Sequence, residues 1–258
     1  MNRTGLVIAL ALGVAVGAVF ALWPQLDIAI TQNFYDPARH VFPAWYSPVA
    51  QRLRDFFNYA IAALAAPACL ALLLKLLLPR RRMLIAARAA ILLVTTLALA
   101  PGLMANVVLK ENWNRPRPVE VKEFGGDLAF VPWWDPRGTC EKNCSFVAGE
   151  GAGGFWTLSL AAVAPPGWRA LAYAGALLFG ASAGGLRMMG GAHFFSDVAF
   201  SGVFTFLIIW LVHGLIYRWR VTRLTDAQVE GAIAWLAPRR WLARIFSRNS
   251  SREAGERG

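Results

Sequence analysis

Residues 187–197 contain the groups that nucleophilic chemistry on an anion requires. They read RMMGGAHFFSD and include Arg187, His193 and Asp197. His193 and Asp197 are four residues apart and share one face of a helix, so the carboxylate can hold one imidazole nitrogen while the other attacks or transfers a proton. Arg187 adds an anion-binding group. A His–Asp pair opening an apolar helix is costly and indicates a functional site, the alternative being a satisfied structural pair.

A second cluster is cationic. Lys110, Arg115 and Arg117 lie within eight residues of one another, in the segment KENWNRPRP. Three cations at this spacing suit an anion with several oxygens, because Arg presents a planar fork of donors and Lys a point charge. The alternative is an ordinary basic end of an apolar helix.

A third cluster is the glycine-rich segment 144–154, CSFVAGEGAGG, which leads into an apolar run. Such a turn at a helix N-terminus exposes backbone N–H groups to a phosphate, with Gly149 as a candidate donor and Glu150 as a candidate acid. Alternatively, the glycines allow close helix packing. Together the three clusters match phosphoryl transfer, in which catalysis is mostly positioning and charge neutralisation. His40 and His213 are distant from His193, so no metal or cofactor is predicted.

The elements that position these clusters are predicted to be membrane helices. The chain has 258 residues, of which 57% are hydrophobic and 16% charged, against about 25% charged in soluble domains. This composition excludes disordered, collagen-like and disulfide-scaffold proteins. The predicted fold class is all-α, a polytopic bundle of six transmembrane helices, and the predicted spans are 5–23, 58–78, 84–109, 150–164, 168–186 and 198–217.

Charge asymmetry gives the predicted orientation. With the N-terminus in the cytoplasm, the inner side holds 16 Lys and Arg against 4 acidic residues, and the outer side 10 against 11. This positive-inside pattern accounts for the net charge of +11, so membrane lipids and no nucleic acid are the expected partners. The six-helix core is predicted over 1–217, with outer loops 24–57 and 110–149. A basic cytoplasmic tail, 218–258, follows.

Two smaller signals concern the tail and the second outer loop. The stretch Thr225–Gln228 is typical of a capping box and predicts a short surface helix after it. Cys140 and Cys144 both lie in the outer loop, where an oxidising compartment permits a disulfide, a free pair being the alternative.

The motifs resemble those of the type-2 phosphatidic-acid phosphatase family of membrane enzymes. Lys110, six residues and Arg117 followed by Pro fit its first motif. Arg187, five residues, His193, three residues and Asp197 fit its third motif. The first outer loop, which begins QLDI at residue 25, is similar to the bacterial lipid A phosphatase branch.

The resemblance implies a metal-independent lipid phosphatase. His193 would attack phosphorus, and Asp197 would orient the imidazole of His193. Water would then hydrolyse the resulting phosphohistidine. The phosphate would be bound by the cationic side chains and one backbone amide, namely Lys110, Arg117, Arg187 and Gly149. The implied substrate is a lipid phosphate such as lipid A, and the implied location is the bacterial inner membrane, with the site facing the periplasm.

The middle motif departs from the family pattern. The family shows Pro-Ser-Gly-His, whereas this chain has Val147-Ala148-Gly149-Glu150. The serine hydroxyl is missing at Ala148, and protonation of the leaving group falls to Glu150. Two alternatives therefore stay open: a phosphatase for isoprenoid diphosphate or phosphatidylglycerol phosphate, and a catalytically weakened relative that binds lipid phosphate.

Overall fold

The computed structural model describes residues 1–237 and is built from helices. Within these residues there is no β-strand, only two isolated bridges, so the predicted all-α fold class is confirmed. The helices are α1 Arg3–Leu22, α2 Gln25–Gln32, α3 Pro43–Tyr46, α4 Pro48–Leu77, α5 Ala87–Asn112, α6 Gly149–Phe155, α7 Leu158–Val163, α8 Arg169–Met189, α9 Phe195–Arg218 and α10 Asp226–Leu236.

Four helices of the described chain, α1, α4, α5 and α9, are long and apolar enough to cross a membrane. The protein is therefore a multi-pass membrane protein. The helices at the other two predicted spans, 150–164 and 168–186, are not among these four. Residues 150–164 form α6 and α7, separated at Trp156 and Thr157. Nearly every residue of α6 is buried, because this helix packs between α8 and α9 rather than against lipid.

The region 24–57, predicted as an outer loop, contains α2, α3 and the first turns of α4. Helix α4 begins at Pro48, ten residues before the predicted start of the span. The Ser47 side chain accepts a hydrogen bond from the amide of Ala50, and proline is well suited to the first helical position. These turns carry Gln51 and Arg54, so a search for apolar runs does not find them.

Helix α5 changes from α-helical to π-helical geometry before it reaches Lys110. Residues Ala98–Leu109 are π-helical, and Pro101 lies within this stretch. Proline has no N–H to donate, and the side-chain amide of Asn106 donates to the Pro101 carbonyl at 2.7 Å. π-Helical turns occur frequently at functional sites. Here the π-helical stretch ends directly before Lys110.

Helices α6 and α8 approach closely because glycine lies at their contact. A Cβ on Gly154 would lie 2.9 Å from the Cα of Gly180, and one on Gly180 would lie 2.3 Å from the Phe155 ring. Small residues at such crossings let two helix backbones meet. The packing role considered for the glycine-rich segment is thus present in the structure.

The tail helix, α10, packs against α4 and α5 at the end of the bundle far from Lys110 and His193. Helix α10 begins after Thr225, whose side chain accepts from the amide of Gln228, so the predicted capping box and helix are confirmed. Val229 and Ile233 of α10 are buried against α4 and α5. The predicted tail extends to 258, and its part 238–258 lies outside the described residues.

Candidate active site

The predicted site residues meet at one end of the bundle. Lys110 lies near the end of α5, Gly149 and Glu150 open α6, Arg187 is in the last turn of α8, and His193 precedes α9. Although the motifs are distant in sequence, the short turn between α8 and α9 and the packing of α6 against α5 bring them together. Gly191 has a φ of +68°, a left-handed conformation that glycine adopts without strain and that aims the chain toward His193.

His193 is a neutral imidazole with a defined tautomer. Burial first, and then the charges of Lys110, Arg117 and Arg187, hold the pKa of His193 well below its usual value. Nδ1 lies 2.7 Å from the carbonyl oxygen of Ser145. A carbonyl only accepts hydrogen bonds, so Nδ1 carries the proton and Nε2 keeps its lone pair. Nε2 is therefore the nitrogen available for attack.

Asp197, the predicted orienting carboxylate, lies 3.9 Å from His193 Nδ1, beyond hydrogen-bond distance. Its Oδ2 instead accepts hydrogen bonds from Ser145 Oγ at 2.5 Å and from the Phe194 amide at 2.8 Å. The carboxylate thus holds Ser145, and the Ser145 carbonyl holds the imidazole. Ser145 was not among the predicted site residues, because it acts through its backbone oxygen.

Lys110 and Gly149 form one wall of the anion site. A Cβ on Gly149 would lie 3.1 Å from Lys110 Nζ and 2.5 Å from Asn106 Oδ1. The ammonium group therefore lies against the glycine backbone, and any larger residue at 149 would displace it. This places a cation and the N-terminal amides of α6 beside the same space.

Two arginines complete the cationic set. Arg117 donates from Nε and Nη2 to the Asn143 carbonyl, at 3.0 and 2.7 Å, which fixes its side chain. Arg187 Nε is buried and finds no hydrogen-bond partner among residues 1–237. Its nearest described anionic group is the Glu150 carboxylate, at ion-pair distance, so this donor still has a hydrogen bond to offer an anion.

Glu150 is paired with an arginine that the sequence motifs did not indicate. Arg54 donates to both oxygens of Glu150, from Nη2 at 2.6 Å and from Nε at 2.9 and 3.1 Å. Arg187 Nε lies 3.4 Å from the same carboxylate. Arg54 belongs to the amphipathic start of α4, 96 residues away in sequence, and no motif spacing signals it.

The prediction that Arg115 joins Lys110 and Arg117 around the anion is wrong. Its side chain is fully buried and directed away from the anion site, pairing with Asp27 and Asp197. The aromatic rings of Phe130 and Phe194 lie near its guanidinium, the second at 4.5 Å. Four acceptors, the two carboxylates, Ser196 Oγ and the Val131 carbonyl, take hydrogen bonds from this guanidinium and leave it unavailable to a solvated anion.

Ala148 precedes α6 and is completely buried. Its amide donates to the backbone oxygen of Asp197 at 3.3 Å, and its methyl group belongs to the hydrophobic core. The family serine hydroxyl therefore has no substitute at this position.

An open cleft of about 180 Å³ adjoins the anion site. Its lining includes Trp45, Gln51, Arg54 and Arg187, so it shares a wall with the cationic set. In the segment between α5 and α6, Cys140 and Cys144 form a disulfide, the pairing that the sequence left open. Among residues 1–237 there is no group of three or more His, Cys, Asp and Glu that could hold a metal ion.

Part of the chain matches a known protein family. The PAP2 superfamily matches residues 88–221. A protein named lipid A 4'-phosphatase from Francisella tularensis subsp. novicida is 34% identical over 200 residues, which cover 77% of this chain and 90% of the relative.

Two further relatives with the same name match a shorter part. The Rhizobium leguminosarum protein is 41% identical over 103 residues, 40% of this chain and 44% of the relative. The Rhizobium etli protein is 40% identical over 102 residues, 40% of each chain. No solved structure matches the chain. The family match spans more than half of the sequence and contains the first and third motifs, and the chain belongs to the PAP2 superfamily.

Proposed function

We propose that this protein is a membrane phosphatase that removes a phosphate monoester from lipid A through a phosphohistidine intermediate. The observation that carries the proposal is the buried imidazole of His193, whose Nδ1 lies 2.7 Å from the Ser145 carbonyl oxygen, beside three cations, Lys110, Arg117 and Arg187. The names of the PAP2 relatives support lipid A as the substrate.

The first chemical step is attack of His193 Nε2 on phosphorus. A nitrogen–phosphorus bond forms, the ester bond between phosphorus and the lipid oxygen breaks, and that oxygen takes a proton. Lys110, Arg117 and Arg187 neutralise charge on the phosphoryl oxygens, and the Gly149 amide donates to one of them. In the second step, water attacks phosphorus, the nitrogen–phosphorus bond breaks, and the deprotonated Glu150 takes the proton of the water, which restores the imidazole and releases inorganic phosphate.

Glu150 is the proposed donor of the leaving-group proton. In the structure both of its oxygens accept hydrogen bonds from Arg54, so a proton donor role requires that Arg54 withdraw when substrate enters. Arg54 is partly exposed and lines the cleft, where the substrate phosphate can compete for its guanidinium. The ion pair between Arg54 and Glu150 would then separate only when substrate is bound.

The proposed topology has six crossings and an active site at the periplasmic face of the bacterial inner membrane. Helices α6 and α7 together would make the fourth crossing and α8 the fifth, with a core over 1–217 and a cytoplasmic tail from 218. The disulfide between Cys140 and Cys144 lies on the same side as the site, which supports an oxidising compartment there.

The proposed reaction is metal-independent, because Lys and Arg side chains supply the positive charge that phosphoryl transfer needs. Phosphate release that persists in EDTA would support this, whereas loss that is restored by a divalent cation would contradict it.

The decisive experiment measures phosphate release by the purified protein in mixed micelles. Lipid A, a polyprenyl diphosphate and phosphatidylglycerol phosphate are compared, with His193→Ala as the inactive control. We expect release from lipid A and its loss, by about 10⁴-fold or more, in the variant, because the nucleophile is removed. Preference for another lipid would overturn the substrate, and an active His193→Ala variant would overturn the mechanism.

The weakened relative is the second candidate, and the buried methyl group of Ala148 is the observation that favours it. In that case the wild-type protein would bind lipid A but release no phosphate. Ala148→Ser would then restore release, because it returns the missing hydroxyl to the N-cap of α6.

A further inference from the structure

Behind the active site lies a buried ionic network that the motifs do not describe. The Arg115 guanidinium donates from Nη2 to Asp27 at 2.8 Å and from Nη1 to Asp197. Ser196 Oγ bridges the two halves, donating to Asp27 at 2.5 Å and accepting from Arg115 at 2.8 Å. All four side chains are at most 1% exposed. One cation is thus shared between two carboxylates, and every hydrogen bond that the structure gives these carboxylates is one they accept.

The network is connected to the nucleophile by hydrogen bonds. Asp197 accepts from Ser145 Oγ, and the Ser145 carbonyl accepts from Nδ1 of His193 at 2.7 Å. The Ser145 amide donates to the backbone oxygen of Arg115 at 2.8 Å. Ser145 is therefore fixed at its amide, hydroxyl and carbonyl, and the network determines where its carbonyl lies.

Asp27 comes from outside the part of the chain that the family accounts for. It lies in α2, whereas the PAP2 match begins at residue 88. A second carboxylate in this buried place is costly, since Arg115 and Asp197 alone would form a neutral pair. The cost indicates a purpose for the additional charge.

The charge balance around His193 suggests that purpose. Lys110, Arg117 and Arg187 face the imidazole and oppose positive charge on it. During attack on phosphorus, however, the imidazole gains positive charge, and a negative charge behind it stabilises the transition state. If Asp27 did not hold one half of the guanidinium, Arg115 would neutralise Asp197 entirely.

We propose that Asp27 is a positioning residue for phosphoryl transfer, which keeps Arg115 shared so that Asp197 retains net negative charge and Ser145 holds Nδ1 of His193. Asp27 touches neither substrate nor the reacting atoms and acts through these three residues. The inference rests on the proposed function, because it concerns the same nucleophile.

The test is Asp27→Asn, which keeps an oxygen acceptor for Ser196 and removes the charge. Lipid turnover is measured together with phosphorylation of His193 by phosphoramidate, in which Nε2 bonds to phosphorus and the nitrogen leaves as ammonia. Orthovanadate binding and the thermal midpoint report the anion site and folding. We expect both rates to fall about 10- to 100-fold, the size typical for lost supporting contacts. The Kd for orthovanadate should stay within about threefold, because the anion-binding side chains are unchanged.

The matched control is Asp36→Asn, which removes a partly exposed carboxylate of the same N-terminal region and should leave both rates unchanged. Unaltered rates in Asp27→Asn would overturn the inference. So would a loss of orthovanadate binding equal to the loss of rate, since this would indicate a merely structural role.

A second variant covers the case in which Asp27→Asn does not fold. Ser196→Ala removes the bridging hydroxyl but no charge, and a smaller drop in both rates is expected, with unchanged rates counting against the inference. Phosphoramidate needs no lipid. If wild-type protein hydrolysed no lipid phosphate but its His193 were phosphorylated faster than in Asp27→Asn, the proposed function would fail and the inference would stand.

Discussion

At the residue scale, Glu150 occupies the position at which the family pattern has its proton-donating histidine. Two roles are compatible with its surroundings. It can donate a proton after Arg54 withdraws, or it can serve only to hold Arg54 and Arg187 in place. The first role needs an acidic proton on Glu150, whereas the second needs only a side chain that accepts hydrogen bonds from the two arginines.

Glu150→Gln separates these roles, because glutamine keeps an oxygen acceptor for Arg54 but has no acidic proton. If Glu150 is the acid, kcat for lipid A should fall by about 100-fold or more, the usual contribution of general acid catalysis, with little change in KM. Glu111→Gln, an exposed neighbour of Lys110, is the control. A kcat within about threefold of wild type would leave Glu150 only the structural role.

The sequence predicted most of the site residues but not the direction of every side chain. Lys110, Arg117, Arg187 and His193 could be found because each belongs to a motif with fixed spacing. Arg115 lies between two of them and was grouped with them, since a count of cations cannot tell which ones are turned inward. Partners contributed by distant elements, such as Arg54 and Asp27, leave no local signal.

At the element scale, apolar helices could be predicted from the sequence, whereas the bounds of the glycine-rich helices could not. Hydropathy finds α1 and α9 within a few residues, because each contains an 18-residue window of high mean hydropathy with few charges. It does not find the start of α4, where polar residues serve the site, or the break between α6 and α7. The position of α6 depends on its close contact with α8, which a hydropathy profile does not register.

Gly154→Ala tests whether that contact positions the site. The added Cβ would lie 2.9 Å from the Gly180 backbone, which cannot yield cheaply, so α6 should move away from α8. Overpacking of this kind costs about 1–3 kcal/mol, and we expect a lower thermal midpoint and a lower kcat because Glu150 and Arg187 separate. Gly175→Ala on α8 meets no atom within 4 Å and is the control. Equal behaviour of the two variants would contradict the prediction.

At the scale of the whole molecule, the two ends of the bundle have different tasks. One end holds the anion site, beside which α4 places Arg54, and the buried network behind it, to which α2 contributes Asp27. At the other end α10 lies across α4 and α5, where Lys75 donates to Glu230 at 2.8 Å and to the Arg81 carbonyl at 2.8 Å. Lys75 is almost fully buried, so these two acceptors replace the hydrogen bonds that water would otherwise make to its ammonium group.

The pair between Lys75 and Glu230 should make stability depend on pH. The hydrogen bond from Lys75 holds the pKa of Glu230 below its ordinary value. A carboxyl group with a lowered pKa contributes stability above its unfolded pKa, and this contribution is lost as the pH falls through the folded value.

Glu230→Gln should therefore lower the thermal midpoint in micelles at neutral pH by an amount that shrinks as the solution is acidified below the usual glutamate range. The expected cost at neutral pH is about 1–2 kcal/mol, because Lys75 keeps the Arg81 carbonyl while losing its counter-charge. Glu123→Gln, at an exposed position near the active end, controls for loss of a carboxylate and should not change the midpoint. Phosphate release at neutral pH should be unaffected below the midpoint, since the pair lies at the opposite end from His193. A midpoint difference that persisted undiminished in acid would contradict the prediction, because it would show that the effect does not come from the charge of Glu230.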